Sequence, residues 1–242
     1  MSRLLALALL LSLAAPALAQ DAPQATPAPD PWGLERIADE PRAEIERVRN
    51  DATVTAVLEP RRVESSEAVY RYLLTHLPLA SRWLRGLELG DYDLSDLPQG
   101  KFQIDDKAGA KAVGERALSE PGRLVVIADG TLEVPLLPKI KGVGVILIRF
   151  PKAPDVKGKP PALLCSAETA FRVEGRVLHG LGRALRRILR KVVHDKLDSL
   201  VKSATTLAEA VTRDPTGTFE RLKAAKVAPA DLEAFRQRFL AL

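Results

Sequence analysis

The sequence predicts an α+β fold in which a run of strands joined by tight turns precedes one long C-terminal helix. Two observations carry that reading. Between Lys101 and Glu174 apolar residues recur at every second position, the period of a half-buried strand. From Glu174 to Arg213 the period becomes helical. Val177, Leu178, Leu181, Leu185, Ile188, Leu189 and Val192 form one apolar stripe there, and no proline or glycine interrupts the run after Gly182. A helix with one such face must bury it, and the strands that precede it are the surface on offer.

The chain begins with a segment that stands apart from this plan. Arg3, the apolar run Leu4 to Ala15 and the small-x-small triplet Ala17-Leu18-Ala19 have the form of a cleavable signal peptide over residues 1–19, which puts the mature start at Gln20. The expected product is soluble and either periplasmic or secreted. The apolar run is short for a membrane span, and no cysteine near the cut offers a lipid anchor. Residues 20–31 are rich in proline and alanine without periodicity and read as a disordered leader. The main domain is expected over 32–213, and 214–242 as a helical extension packed on it. Of the 242 residues, 46% are apolar and only 5% aromatic, so a sizeable core is filled mainly by Leu, Val, Ile and Ala.

The elements follow in order. Trp32 to Asn50 carries Ile37, Ile45 and Val48, and Pro41 divides it, leaving a short helix over 43–50. Asp51 to Glu59 is β-branched and alternating, a first strand. Ser65 or Ser66 offers an N-cap for a helix through Val69, Tyr70, Leu73 and Leu74, which His76-Leu77-Pro78 stops. A second short helix covers 79–87. Phe102 and Ile104 open the period-two region, and Asp105-Asp106 with Gly109 makes a turn. Lys111 to Leu118, Arg123 to Ala128, Ile140 to Phe150 and Ala162 to Glu174 are further strands, the third of these closed by a loop rich in proline, lysine and glycine. Asp129-Gly130 is expected to end the strand before it, and Gly142 and Gly144 to mark a bend. In the last strand Leu163, Cys165, Ala167, Thr169, Phe171 and Val173 share a buried face, and Ser166, Glu168, Arg172 and Glu174 a wet one. On the long helix the apolar set swings round beyond His194, so a kink or a new packing partner is expected near Asp195. Asp214-Pro215 ends it. Two short helices, 219–225 and 230–240, form a closing hairpin.

Several chemistries find no support. A single cysteine, Cys165, forms no internal disulfide, and at strand spacing a lone thiol is commonly a small buried hydrophobe. His76, His179 and His194 fall in no metal-binding or triad spacing, and the aspartates read as turn residues. No catalytic residue, metal ligand or cofactor motif is identified. Net charge is +5, yet residues 176–196 alone hold seven basic residues against one acid. No aromatic residue interleaves these arginines to stack on bases, and export argues against nucleic acid as a partner.

A strand, two short helices, a run of consecutive antiparallel strands and one long terminal helix is an element order that resembles the START-like (SRPBCC) superfamily over roughly residues 51–213. The stretch Leu137-Pro138-Lys139-Ile140-Lys141-Gly142, leading into the apolar strand, is similar to that of a group of exported bacterial proteins. The resemblance implies a helix-grip fold, with a curved antiparallel sheet wrapped around the C-terminal helix. It also implies a space between them for a lipid, a sterol or another apolar molecule, or on occasion cyclase or hydrolase chemistry.

Two candidate sites follow. The facing sets Val143, Val145, Leu163, Cys165, Thr169, Leu181, Leu185 and Ile188 are expected to line an apolar ligand pocket or to fill a core. Arg183, Arg186, Arg187, Arg190 and Lys191 form a basic face. It either docks on an anionic membrane or pairs with acids such as Glu168, Glu174 and the Asp93–Asp96 segment. The favoured reading is a non-enzymatic carrier of an apolar molecule. The alternatives are an enzyme on the same scaffold and a structural envelope protein with a filled core.

Overall fold

In the computed structural model, which describes residues 30–133, 139–158, 160–175 and 183–240 with the side chains of 183–185 excepted, seven strands form one antiparallel sheet. They are β1 (Val54–Val63), β2 (Asp93–Asp96), β3 (Lys101–Asp105), β4 (Ala110–Glu120), β5 (Arg123–Leu132), β6 (Ile140–Arg149) and β7 (Leu163–Val173). The order across the sheet is β1-β7-β6-β5-β4-β3-β2. Every sequential pair from β2 to β7 is therefore adjacent, and only β1 meets a partner distant in the chain. The helices described are α1 (Asp39–Asn50), α2 (Glu67–Thr75), α3 (Leu77–Gly86), α4 (Arg183–Arg213), α5 (Pro215–Ala224) and α6 (Pro229–Phe239). The curved sheet is closed on one face by α2, α3 and the long α4, giving the α+β helix-grip architecture with a terminal helical hairpin. The expected signal peptide, residues 20–29 of the expected leader, Val177, Leu178, His179 and Leu181 lie outside the described residues.

Local chemistry sets the helix ends. The Ser66 hydroxyl accepts the backbone N–H of Val69 at 3.2 Å and starts α2. α1 begins at Asp39, earlier than the sequence led one to expect, because Pro41 sits in its first turn rather than dividing it. A first-turn N–H has no helical acceptor, so proline costs nothing there. Pro78 occupies the same kind of position in α3. α4 runs unbroken past Asp195, but its packing partner changes. Leu189, Val192 and Val193 meet Val54, Leu132, Ile140 and Val173, whereas Leu197, Val201, Leu207 and Val211 join the main core with α2 and α3.

Four strand expectations are corrected. β1 continues past Pro60 to Val63 through an irregularity between Leu58 and Arg61, which an edge strand tolerates. Asp93 to Asp96, where the sequence reading places no strand, is the edge strand β2 paired with β3. β5 continues through Asp129-Gly130 to Leu132. β7 has no wet face along most of its length. Ser166 and Ala170 are buried as well, because α1 with Trp32, Ile37, Ile45 and Val48 covers the back of the sheet over Val125, Ile127, Val143, Val145 and Leu147.

Gly130 shows why β5 does not stop at its glycine. A β-carbon there would lie 2.2 Å from the Lys111 carbonyl oxygen and 2.5 Å from Ala112 Cα, so β4 approaches too closely for any side chain. Gly130→Ala is expected to cost about 1–3 kcal/mol of stability in a urea titration, the usual range for forced overpacking.

The α5–α6 hairpin seals the end of the molecule beside α3. Phe235 and Phe239 stand edge-on to Trp83, at 5.2 and 6.0 Å between ring centres. Arg82 grips Asp231 with two hydrogen bonds of 2.7 and 3.0 Å.

Candidate functional site

Between the sheet and α4 lies a cavity of about 270 Å³. Its floor follows from strand register. Ala112, Gly130 and Gly142 stand in one row across β4, β5 and β6, and Gly114, Ala128 and Gly144 in the next but one. Small residues on one face of three adjacent strands leave space above them that larger side chains would fill. The walls are Leu73 and Leu77 near the α2–α3 junction, Leu84 of α3, Phe102 and Ile104 of β3, Phe171 of β7, and Leu197, Leu200, Val201 and Ala204 of α4. Phe171 lies over the glycines. A β-carbon on Gly142 would come within 2.8 Å of its ring, and one on Gly144 within 3.5 Å.

The residues expected to line the cavity divide. Thr169 does line it, with its hydroxyl donating to the Val145 carbonyl at 2.8 Å. Leu163 and Cys165 face the same side of the sheet but lie inside the packed core, each 1% exposed. Val143 and Val145 point the other way, against the α1 layer. The β6 residues above the cavity are Gly142, Gly144, Ile146 and Ile148, one position out of step with the expected set. β6 is apolar on both faces, so its own alternation carries no sign. Ile188 is 41% exposed and faces away from the core. Leu181 and the Leu185 side chain lie outside the described part.

Lys196 and Asp106 are cavity residues that the sequence reading did not single out. Asp106 is a turn residue, as its place in the sequence predicts. Its Oδ1 accepts the backbone N–H groups of Ala108 at 2.9 Å and Ala110 at 2.7 Å. Its Oδ2 takes an N–H from Lys196 of α4. The signal for Lys196 was present: it stands four residues after Val192 and four before Leu200, so a charge interrupts the apolar stripe.

Cys165 is a packed thiol. Its Sγ lies 3.0 Å from the Tyr70 hydroxyl in a buried hydrogen bond. Burial pushes the thiol above its ordinary range and the Tyr70 phenol well above its own. Both groups stay neutral in the fold. With folded values raised above unfolded ones, their contribution to stability is complete below the ordinary thiol range and is lost as pH rises from there through the raised folded values. Iodoacetamide is expected to modify native Cys165 about 100-fold more slowly than the urea-unfolded chain. Stability should decline from neutral to alkaline pH, and the decline should be shallower in Cys165→Ala.

The basic face keeps its exposure. Arg186, Arg187, Arg190 and Lys191 are exposed, and among the described residues only Lys191 of these four has an ion-pair partner, Asp195 at 2.5 Å. Of the acids expected to pair with it, Glu174 and Asp93 are engaged elsewhere. Glu174 meets Lys141 at 3.2 Å, and Asp93 meets Arg85 at 3.4 Å and Lys107 at 3.2 Å. The Arg183 side chain lies outside the described part. No described helix is long and apolar enough to cross a membrane.

Sheet, long helix and the space between them together define a helix-grip domain with an apolar cavity. No family model and no curated protein sequence matches the chain. Among solved structures it is similar to the di-domain ARO/CYC BexL from the BE-7585A biosynthetic pathway, with 15% identity, 70% of this chain covered and a TM-score of 0.44. The chain spans 54% of that protein, about half its length. It is also similar to the protein XoxI from Bacillus cereus, with 7% identity, 64% of this chain and 95% of that one, and a TM-score of 0.43. A third similar structure is an uncharacterised protein from Rhizobium leguminosarum, with 15% identity, 62% and 93% coverage, and a TM-score of 0.36.

Proposed function

We propose that this protein is an exported carrier of the START-like type that binds an apolar small molecule between its sheet and α4. The observation that supports this best is the cavity: about 270 Å³ over a floor of alanines and glycines, with Leu, Ile, Val and Phe walls. Such sites are mostly apolar with a few placed polar groups. An apolar cavity of about 150 Å³ accommodates benzene, so this one suits a bicyclic ring system or a medium-length acyl chain. Among the described residues, Asp106 and Lys196 are the charged groups of the lining, and they pair with each other. The described histidines, His76 and His194, are not part of it. That composition favours holding a molecule over cyclase- or hydrolase-like chemistry. The purified protein is expected to bind N-phenyl-1-naphthylamine saturably and to release a co-purified apolar compound on solvent extraction. A protein that arrives empty and leaves the dye unbound would rule this reading out.

The exposed arginines of α4 support a second element of the proposal, contact with anionic membrane. Each basic residue near such a surface contributes roughly 1 kcal/mol. Sedimentation with vesicles rich in phosphatidylglycerol is expected at low salt, with steep weakening as salt rises. The triple variant Arg186→Glu, Arg187→Glu, Arg190→Glu should stay in the supernatant. Salt-insensitive sedimentation would remove this element. Export rests on residues 1–19, and N-terminal sequencing of the product from bacterial cells should begin at Gln20.

A further inference from the structure

Among the described residues the cavity has one charged corner, and its hydrogen bonds are unevenly spent. Asp106 receives three donors: the N–H groups of Ala108 and Ala110 on Oδ1, and Lys196 on Oδ2. Lys196 Nζ also donates to the Ala108 carbonyl at 3.0 Å. Both side chains line the cavity and are largely withdrawn from solvent, with 10% of the Asp106 side chain and 28% of the Lys196 side chain exposed. An ammonium has three N–H donors and no acceptor. Two are used, and the described residues provide no acceptor for the third. The corner thus offers a ligand a positively charged donor, while three of the roughly four acceptor sites of its carboxylate are in use.

We infer that the bound molecule is a medium-length amphiphilic carboxylate, with its hydrocarbon over the small-residue floor and its head group on Lys196. This rests on the apolar-ligand reading above and adds the head-group chemistry. A carboxylate is favoured over a neutral carbonyl or hydroxyl because its charge adds Coulombic attraction to the ammonium in a corner largely withdrawn from water. An amine is disfavoured by the charge of Lys196, which already holds Asp106 Oδ2. The carboxylate shares the ammonium with Asp106 and does not displace it, since Asp106 stays anchored by its two backbone N–H groups. The volume limits the tail to medium length.

The test is displacement of N-phenyl-1-naphthylamine from the purified full chain by decanoate, 1-decanol and decylamine. Decanoate is expected to displace the dye at about tenfold lower concentration than decanol, with decylamine the weakest. Lys196→Met keeps the apolar stem and should erase the decanoate advantage while leaving decanol unchanged. Lys196→Arg should retain the advantage. Asp106→Asn frees the ammonium of its counter-ion and should strengthen decanoate further. Equal displacement by decanoate and decanol in the unaltered protein would overturn the inference, as would a Lys196→Met variant that weakens both alike. Dye uptake without head-group preference would leave the apolar-ligand reading standing. Absence of dye uptake would overturn both.

Discussion

Gly144→Leu is expected to abolish dye and ligand binding while leaving the fold intact or slightly more stable. Gly144 sits in the cavity floor, and a β-carbon there meets only ordinary contacts, the Phe171 ring at 3.5 Å and the Ala170 carbonyl at 4.0 Å. Nothing in the backbone resists a side chain, so the isobutyl group projects into the space a ligand would take. Filling an apolar cavity commonly adds about 0.5–2 kcal/mol of stability, and Leu also suits a strand better than Gly. Affinity for N-phenyl-1-naphthylamine should fall by about tenfold or more, a loss of at least ~1.4 kcal/mol. The two floor glycines beside it behave differently. At Gly142 the Arg172 carbonyl lies 2.4 Å from a β-carbon, and at Gly130 the Lys111 carbonyl lies 2.2 Å away, so substitution there strains the sheet first. Undiminished binding in Gly144→Leu, with the fold preserved, would mean that the cavity is not where the dye sits.

Trp83→Ala is expected to carry the largest stability loss, about 3–5 kcal/mol in a urea titration, the range for deleting a buried aromatic. Trp83 is 0% exposed. Its ring contacts Tyr72, Phe235 and Phe239, and its Nε1–H donates to the Asp231 carbonyl at 3.2 Å. The deletion leaves a void and an unpaired carbonyl at the joint where the α5–α6 hairpin meets α3. A domain commonly holds only about 5–15 kcal/mol in total, so the hairpin should also become sensitive to protease. Trp83→Phe keeps most of the ring packing and should cost distinctly less. A loss equal to that of Trp83→Ala would assign the joint to the indole hydrogen bond.

The site was less legible in the sequence than the fold, and particular residues show why. The inward face of β7 could be read from its own alternation, because Glu168 and Arg172 mark the opposite side. β6 offered no such marker. Val143, Val145 and Leu147 are as apolar as Ile146 and Ile148, so the face turned to the cavity is set by pairing with β5 and β7. Gly142 and Gly144 were visible as exceptions, but their meaning depends on where Phe171 of the neighbouring strand places its ring. Ile188 fits the helical stripe by spacing, and its exposure reflects how the helix sits on the sheet.

The sequence by itself determined the order of the strands and helices other than β2, the turn at Asp105-Asp106, an N-cap at Ser65 or Ser66 and the concentration of charge on the long helix. These follow from local forces: periodicity, capping and turn chemistry act over a few residues. The tertiary structure decided which face of β6 looks inward, that α1 covers the back of the sheet, and that Asp106 meets Lys196 across 90 residues of chain. The space between sheet and helix is likewise a property of packing. Whether an apolar face meets a large neighbour or a row of alanines and glycines depends on residues far away in the chain, which no local period records.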